Sequence, residues 1–84
     1  MSLNFTFNKN DNYYKIIKAA IVNHSNGNFK LASKYYKIYL KKKPNDYKAN
    51  FNLGSLLVYL KDYEGSILFL KKAEKIQKNN FAVY

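Results

Sequence analysis

The side chains best suited to chemistry are few in this sequence and lie far apart. His24 is the single histidine, cysteine is absent, and aspartate and glutamate together number five. A metal site requires several such ligands close together, and a nucleophilic site requires a base beside its nucleophile. Asp46 precedes a predicted helix, and Asp62 and Glu64 flank a predicted turn, so helix capping explains these acids. We therefore predict no enzyme, no metal site and no cofactor.

Lysine supplies nearly all the charge of this sequence. All fifteen basic residues are lysine, and the formal net charge is +10. Lysine attracts anions and nearby tyrosines could stack on bases, but without arginine the sequence lacks the side chain that binds phosphate with two parallel hydrogen bonds. AT-rich codons would give the same composition without selection for a ligand. Anion or nucleic-acid binding stays an alternative function for the lysines expected on exposed helix faces: Lys30, Lys34, Lys37, Lys41, Lys42, Lys43, Lys71, Lys75 and Lys78.

Helices must position these residues. The spacing of apolar side chains predicts four of them, over about residues 13–24, 29–42, 47–60 and 63–77. Asp11 or Asn12 can cap the first helix and Asp46 the third, while Gly27 suits the turn after the first helix and Pro44 ends the second. Alternating apolar residues within 1–10 could form a short strand, but with no partner strand predicted we interpret residues 1–12 as an arm. The fold class is therefore all-α, in one small domain.

The helical spacing also predicts which side chains are buried. In the first helix the residues at this spacing are Ile16, Ile17, Ala19, Ala20, Ile21 and Asn23. In the second helix the buried stripe is predicted to be Leu31, Ala32, Tyr35, Tyr36, Tyr39 and Leu40.

Two stretches of the sequence follow the same order of cues. Residues 13–46 and 47–80 each contain an apolar helix, a polar break, an aromatic residue, a second helix and a polar stop, with a period of 34 residues. Such a period is typical of stacked helical repeats. The second unit carries the motif Asn52-Leu53-Gly54, Leu57, Lys61-Asp62-Tyr63, Ser66, Leu70 and Ala73. The first unit carries Ala20, Gly27-Asn28-Phe29, Ala32, Tyr36 and Pro44.

These motifs resemble the tetratricopeptide-repeat family. The resemblance implies two stacked antiparallel helical hairpins, about two repeats plus the start of a third, in a fragment of an α-solenoid. The organisation would be an N-terminal arm at 1–12, hairpins at 13–46 and 47–80, and a C-terminal tail or the start of a third hairpin at 81–84. An unrelated four-helix bundle is the alternative. The sequence departs from the family pattern at Asn23, Tyr39, Asn50 and Lys78.

The family's concave groove implies a site for a partner segment. Carried onto this sequence, the groove would be lined by Tyr14, Ile17, Ile21, His24, Lys48, Phe51, Asn52, Ser55 and Tyr59. This mixture of apolar, aromatic and polar side chains favours an apolar peptide as ligand. Some members of the family bind a terminal carboxylate through lysine and asparagine. Ile17 and Ile21 occupy two of those positions here, so carboxylate binding is not expected. The arm, through Leu3, Phe5 and Phe7, or a second subunit could fill the groove instead.

An apolar edge should remain open after the second hairpin, because about three repeats are normally needed for a stable stack. The side chains predicted at this edge are Ile67, Leu68, Leu70, Phe81 and Tyr84. Burial of their surface favours self-association, and we predict a homodimer unless the tail folds back over the edge. The sequence thus predicts a protein–protein interaction module that self-associates, binds a peptide, or does both. An accessory domain of a larger enzyme, such as a transferase, is a further alternative.

No membrane segment is apparent in the sequence. The longest apolar run, at residues 56–60, is far shorter than the roughly 20 residues that span a bilayer. Residues 1–12 lack the basic and then apolar order of a secretory signal. We therefore expect a soluble, cytoplasmic protein.

Overall fold

A computed structural model describes residues 12–82, with side chains through Asn79. The predictions for the arm at residues 1–11, and for the side chains of Phe81 and Tyr84, lie outside this part of the chain. Within residues 12–82 there are four helices and no strand. The helices are α1 (Tyr13–Ser25), α2 (Phe29–Lys42), α3 (Tyr47–Tyr59) and α4 (Tyr63–Ala82).

The helices pack in the order in which they occur along the chain. The extensive contacts are those of α1 with α2, α2 with α3, and α3 with α4. Because short turns join them, α1 and α2 form one antiparallel hairpin and α3 and α4 form the next. The contact of α2 with α3 stacks the second hairpin on the first. The predicted all-α fold of two stacked hairpins is confirmed.

Three side chains fix the starts of helices at the predicted positions. Oδ1 of Asn12 accepts a hydrogen bond from the backbone N–H of Lys15 at 3.1 Å, and α1 begins at the next residue. Oδ1 of Asp46 accepts from the N–H of Ala49 at 3.0 Å at the start of α3. Asp62 does the same for Gly65 at 3.0 Å. Each cap satisfies one N–H that the helix itself leaves unpaired.

The turns inside the two hairpins have the same hydrogen bonds, shifted by 34 residues. The N–H of Gly27 bonds to the carbonyl of His24, and that of Lys61 bonds to Val58. One residue later, Asn28 bonds back to Asn23 and Asp62 to Leu57. Gly27 and Lys61 both have a positive φ, of 78° and 62°. Such a left-handed residue commonly ends a helix. The repeat is therefore visible in backbone geometry.

The core lies where the helices meet, and the family's small residues line it. Ala20 and Ala32 are fully buried in the first hairpin, and Ser66 and Ala73 are buried in the second. At Gly54, a Cβ added to the backbone would lie 2.7 Å from Cγ of Leu70. Only glycine allows α3 and α4 to approach this closely. The predicted stripe of α2 is buried except for Leu31, which is half-buried, and Ser33 is buried in addition.

Some helix ends differ from the prediction. The largest difference is in α4, which ends at Ala82 and not at residue 77. The asparagines at 79 and 80 are weak helix formers, but neither proline nor glycine follows Gly65. Nothing in the backbone chemistry therefore stops the helix there. As a result, residues 81 and 82 belong to α4 and do not begin a separate helix.

Candidate functional site

The nine residues predicted to line a groove come from α1 and α3, and we call this surface the α1–α3 face. Four of them are apolar or aromatic side chains that remain exposed: Tyr14 (70%), Ile21 (48%), Phe51 (46%) and Tyr59 (73%). Lys48 is exposed, and Ile17, His24, Asn52 and Ser55 are half-buried. Solitary exposed apolar residues are common on proteins, so the arrangement of these side chains matters more than their number.

Tyr36 of α2 links α1 to α3 beneath this face. Its ring is fully buried, and its hydroxyl lies 3.0 Å from Nδ1 of His24. Burial raises the pKa of the Tyr36 hydroxyl, and a hydrogen bond from the side chain of Asn52 offsets part of that rise. Two predicted residues from different helices thus share one hydroxyl, which holds His24 and Asn52 close together.

An aromatic cluster surrounds this hydroxyl at one end of the face. The His24 ring meets Phe29 edge-on, with centroids 5.7 Å apart, and meets Tyr36 in the same way at 5.8 Å. Phe29 in turn contacts Tyr59, with centroids 5.2 Å apart. Edge-on and tilted rings at such distances attract one another. We call His24, Phe29, Tyr36 and Tyr59 the aromatic cluster.

Sequence reasoning assigned no site role to Phe29 or Tyr36. Both appeared only as members of the repeat motif in the first unit. In an antiparallel hairpin the start of α2 lies beside the end of α1. This relation could have placed Phe29 and Tyr36 near His24. Periodicity places such residues on the inner face of α2 but does not show which ring each one touches.

The opposite end of the face adjoins α4. Phe51 stacks on Tyr47, with ring centroids 6.0 Å apart and planes 16° apart. Both rings line a cavity of about 220 Å³ together with Leu70 and Ala73 of α4. The structure therefore brings Leu70, predicted at the self-association edge, beside Phe51, predicted in the groove.

The two other described residues of the predicted edge are not on the same side of α4. Ile67 and Leu68 are 54% and 63% exposed. Because they are consecutive in a helix, their side chains point about 100° apart. Leu68 lines a cavity with Lys72 on one side of α4. Ile67 lies one turn before Leu70 and two turns before Glu74, which line the cavity beside Phe51, so helical spacing places Ile67 on that side.

Metal-ligand clusters and membrane spans are both absent from the described part of the chain. Among residues 12–82, no three histidine, cysteine, aspartate or glutamate residues are grouped closely enough to hold a metal ion. Within the same range, no helix combines the length and the apolar character needed to cross a membrane.

Comparison with known families matches one hairpin. The family model of the tetratricopeptide repeat matches residues 47–80, which include α3 and most of α4. Residues 47–80 are therefore similar to a tetratricopeptide repeat. A tetratricopeptide repeat is generally a protein–protein interaction module, which suggests this class of function for the matched hairpin. No match was found among curated proteins or among solved structures.

Hydrogen bonds explain why two departures from the repeat pattern are tolerated in the core. Asn50 is fully buried, and its Nδ2 donates to the carbonyls of Pro44 at 3.1 Å and Asp46 at 2.8 Å. Asn23 is also fully buried, and its Nδ2 donates to the carbonyl of Ala19 at 2.9 Å. Each amide uses its donors on nearby backbone carbonyls, which offsets the cost of placing a polar group in the core.

Proposed function

We propose that this chain binds a peptide segment of another protein on its α1–α3 face. The observation that carries the proposal is the aromatic cluster at the junction of the hairpins. It presents Tyr59, which is 73% exposed, on top of buried and half-buried rings. Aromatic side chains backed by packed neighbours are the usual anchors of protein interfaces.

The polar groups on this face complement an extended peptide. The Tyr36 hydroxyl contacts His24 of the cluster and hydrogen-bonds to Asn52, so two polar side chains are positioned beside the exposed Tyr59 ring. Ile21 adds an exposed apolar side chain on α1. An apolar surface with a few fixed polar groups favours a segment that buries one or two apolar side chains and hydrogen-bonds through its backbone.

The experiment uses peptides selected from a random display library against the immobilised chain. Selected peptides should share large apolar residues. Their affinity should fall about tenfold in the Tyr59→Ala variant, which corresponds to a lost anchor of roughly 1.4 kcal/mol. Tyr63→Ala is the matched control, because Tyr63 is also exposed, at 58%, but lies at the start of α4. Peptides that bind both variants equally well would contradict the proposal.

Self-association is the second candidate function, and equivalent positions of the two hairpins favour it. In the first hairpin Tyr36 and Leu40 of α2 are buried in the core. The residues 34 positions later are Leu70, which is half-buried, and Glu74, which is exposed. The surface of α2 that receives α3 thus has an uncovered counterpart on α4. A second copy of the chain would cover it.

Light scattering behind a sizing column tests self-association at low and high salt. We expect a dimer that persists in high salt and is lost in the Ile67→Glu variant, since Ile67 lies on the side of Phe51 and Leu70. Leu68→Glu is the matched control, with the same charge change and similar exposure on the neighbouring residue. A monomer at all concentrations would exclude this function.

A further inference from the structure

A recess of about 450 Å³ lies between α4 and the loop that joins α2 to α3. It shares no residue with the α1–α3 face or with the cavity beside Phe51. We call it the lysine recess. Its principal lining residues are Asn45, Leu68, Lys71, Lys72, Lys75 and Ile76.

The floor of the lysine recess is apolar. Leu68 and Ile76 are eight residues apart on α4, so they lie on the same side of the helix. Leu68 is 63% exposed and Ile76 is half-buried. Lys72 lies between them in sequence, is half-buried and also lines the recess, so the carbon stem of this lysine can add to the apolar surface.

The rim of the recess is positively charged. Lys71 and Lys75 are exposed on α4. On the other side of Asn45, an adjoining cavity is lined by Lys42 and Lys43. The lysines at the recess itself are Lys71, Lys72 and Lys75, all on α4.

The nearby carboxylates do not neutralise this charge. Oδ2 of Asp46 accepts from the Tyr39 hydroxyl, and Oδ1 accepts from the backbone of Ala49. Glu74 lines the cavity on the Phe51 side of α4, where it pairs with Lys78 at 3.6 Å. The positive potential at the recess is consequently available to a ligand.

We propose that the lysine recess is a second docking site, which binds an acidic segment of another protein. One apolar side chain of that segment packs against Leu68 and Ile76. Charge complementarity selects this occupant. At this recess a second copy of the chain, packed with the same surface, would bring lysines against lysines. A nucleic acid would meet no arginine and no aromatic ring among the residues that line the recess.

The test is fluorescence anisotropy at low salt with a labelled synthetic peptide of aspartate and glutamate around one central leucine. The affinity should fall about tenfold in the double variant Lys71→Glu/Lys75→Glu, since these charges form the rim. The matched control is Lys34→Glu/Lys37→Glu, which makes the same charge change on exposed positions of α2. The affinity of this control variant for the peptide should fall only about twofold, because it changes the net charge of the chain but not the charges at the recess. All four lysines are exposed, so the variants should keep the helicity of the parent chain.

Two comparisons separate this proposal from other roles of the lysines. Replacing the central leucine of the peptide by serine should weaken binding about tenfold, and leucine binding should shift the methyl resonances of Leu68 and Ile76. Equal losses in the two double variants would reduce the site to a general charge effect and overturn the proposal. A single-stranded oligonucleotide that binds more tightly than the peptide and displaces it would assign the surface to nucleic acid, and would also overturn it.

Discussion

The Tyr39 hydroxyl donates a hydrogen bond of 2.5 Å to Oδ2 of Asp46, whose other oxygen caps α3. One carboxylate therefore ties the last turn of α2 to the first turn of α3. Tyr13 of α1 packs against the Tyr39 ring, with centroids 6.3 Å apart, and the ammonium group of Lys43 lies 4.3 Å above the Tyr13 ring. The joint between the hairpins is thus fixed by a hydrogen bond, a ring contact and a cation–π contact.

Removal of the Tyr39 hydroxyl should weaken this joint. The Tyr39→Phe variant keeps the ring and loses a hydrogen bond to a charged group, so the free energy of unfolding should fall by about 2 kcal/mol. Urea unfolding followed by circular dichroism measures the change. Tyr63→Phe is the control, because Tyr63 is 58% exposed and should show almost no effect. Equal stabilities for Tyr39→Phe and the parent chain would show that the hydrogen bond contributes nothing net.

The same hydroxyl should make stability depend on alkaline pH. Burial raises the pKa of Tyr39 to about 12, and the hydrogen bond to Asp46 and its negative charge add to the rise. An unfolded tyrosine has a pKa near about 10. Because the folded value is higher, the contribution of Tyr39 is complete below about pH 10 and is lost as the pH rises through about 12. The stability difference between the parent chain and Tyr39→Phe should shrink across that interval, as urea unfolding at successive pH values would show.

The two left-handed turn residues should respond in opposite ways to substitution. Gly27 has φ 78° and no atom within 4 Å of the position that a Cβ would take, so Gly27→Ala tests backbone strain alone. We expect a loss of about 1 kcal/mol. Lys61, at the equivalent position with φ 62°, already bears this strain, and Lys61→Gly should raise stability by up to about 1 kcal/mol. Thermal melting measures both; a loss of stability in Lys61→Gly would contradict the equivalence of the turns.

Gly54 should not tolerate a larger side chain. A Cβ there would lie 2.7 Å from Cγ and 3.1 Å from the backbone N of Leu70, so α3 and α4 would have to separate. Overpacking costs about 1–3 kcal/mol, which exceeds the gain of roughly 1 kcal/mol in helix propensity. Gly54→Ala should therefore lower the melting temperature. Its cost should be smaller when Leu70→Ala is also present, and strictly additive costs would contradict the contact.

At neutral pH, Asn50 should not tolerate replacement by an acidic residue. Its Nδ2 donates to two backbone carbonyls, and within residues 12–79 its buried Oδ1 has no hydrogen-bond partner. In Asn50→Asp a carboxylate would face those carbonyls, so the variant should lose at least about 2 kcal/mol at pH 7. Protonation restores one donor, and burial raises the pKa of the new acid in the folded state. The deficit relative to Asn50→Ala should therefore shrink as the pH falls, which guanidinium unfolding at several pH values would measure.

The sequence predicted the helix starts because local chemistry determines them. Asn12, Asp46 and Asp62 each cap a helix through the residue three positions later, which is a relation within one turn of chain. Helix ends were predicted less well, as in α4, because no proline or glycine marks them. Gly54 appeared in the repeat motif of the second unit, and the structure shows that α3 and α4 approach closely there.

The polar and aromatic contacts of the candidate site could not be predicted from periodicity. Helical spacing places Tyr36 on the inner face of α2, but its bond to His24 depends on the angle between two helices. The sequence identified Asn50 only as a departure from the repeat pattern. In the structure its amide donates hydrogen bonds to two backbone carbonyls of the preceding loop. The split of Ile67 from Leu68 likewise depends on how α4 is rotated against α3. Such rotations follow from the packing of all side chains at an interface, and not from any one residue.

Each helix packs mainly on the helices next to it in sequence, and this affects how fast the chain should fold. Within residues 12–82 the extensive contacts join consecutive helices, and none of them joins α1 to α4. Contacts between residues close in sequence form quickly because little loop entropy is lost before they form, so folding should take microseconds to milliseconds. The two terminal helices, each held by one neighbour, should open first and exchange their amide protons fastest.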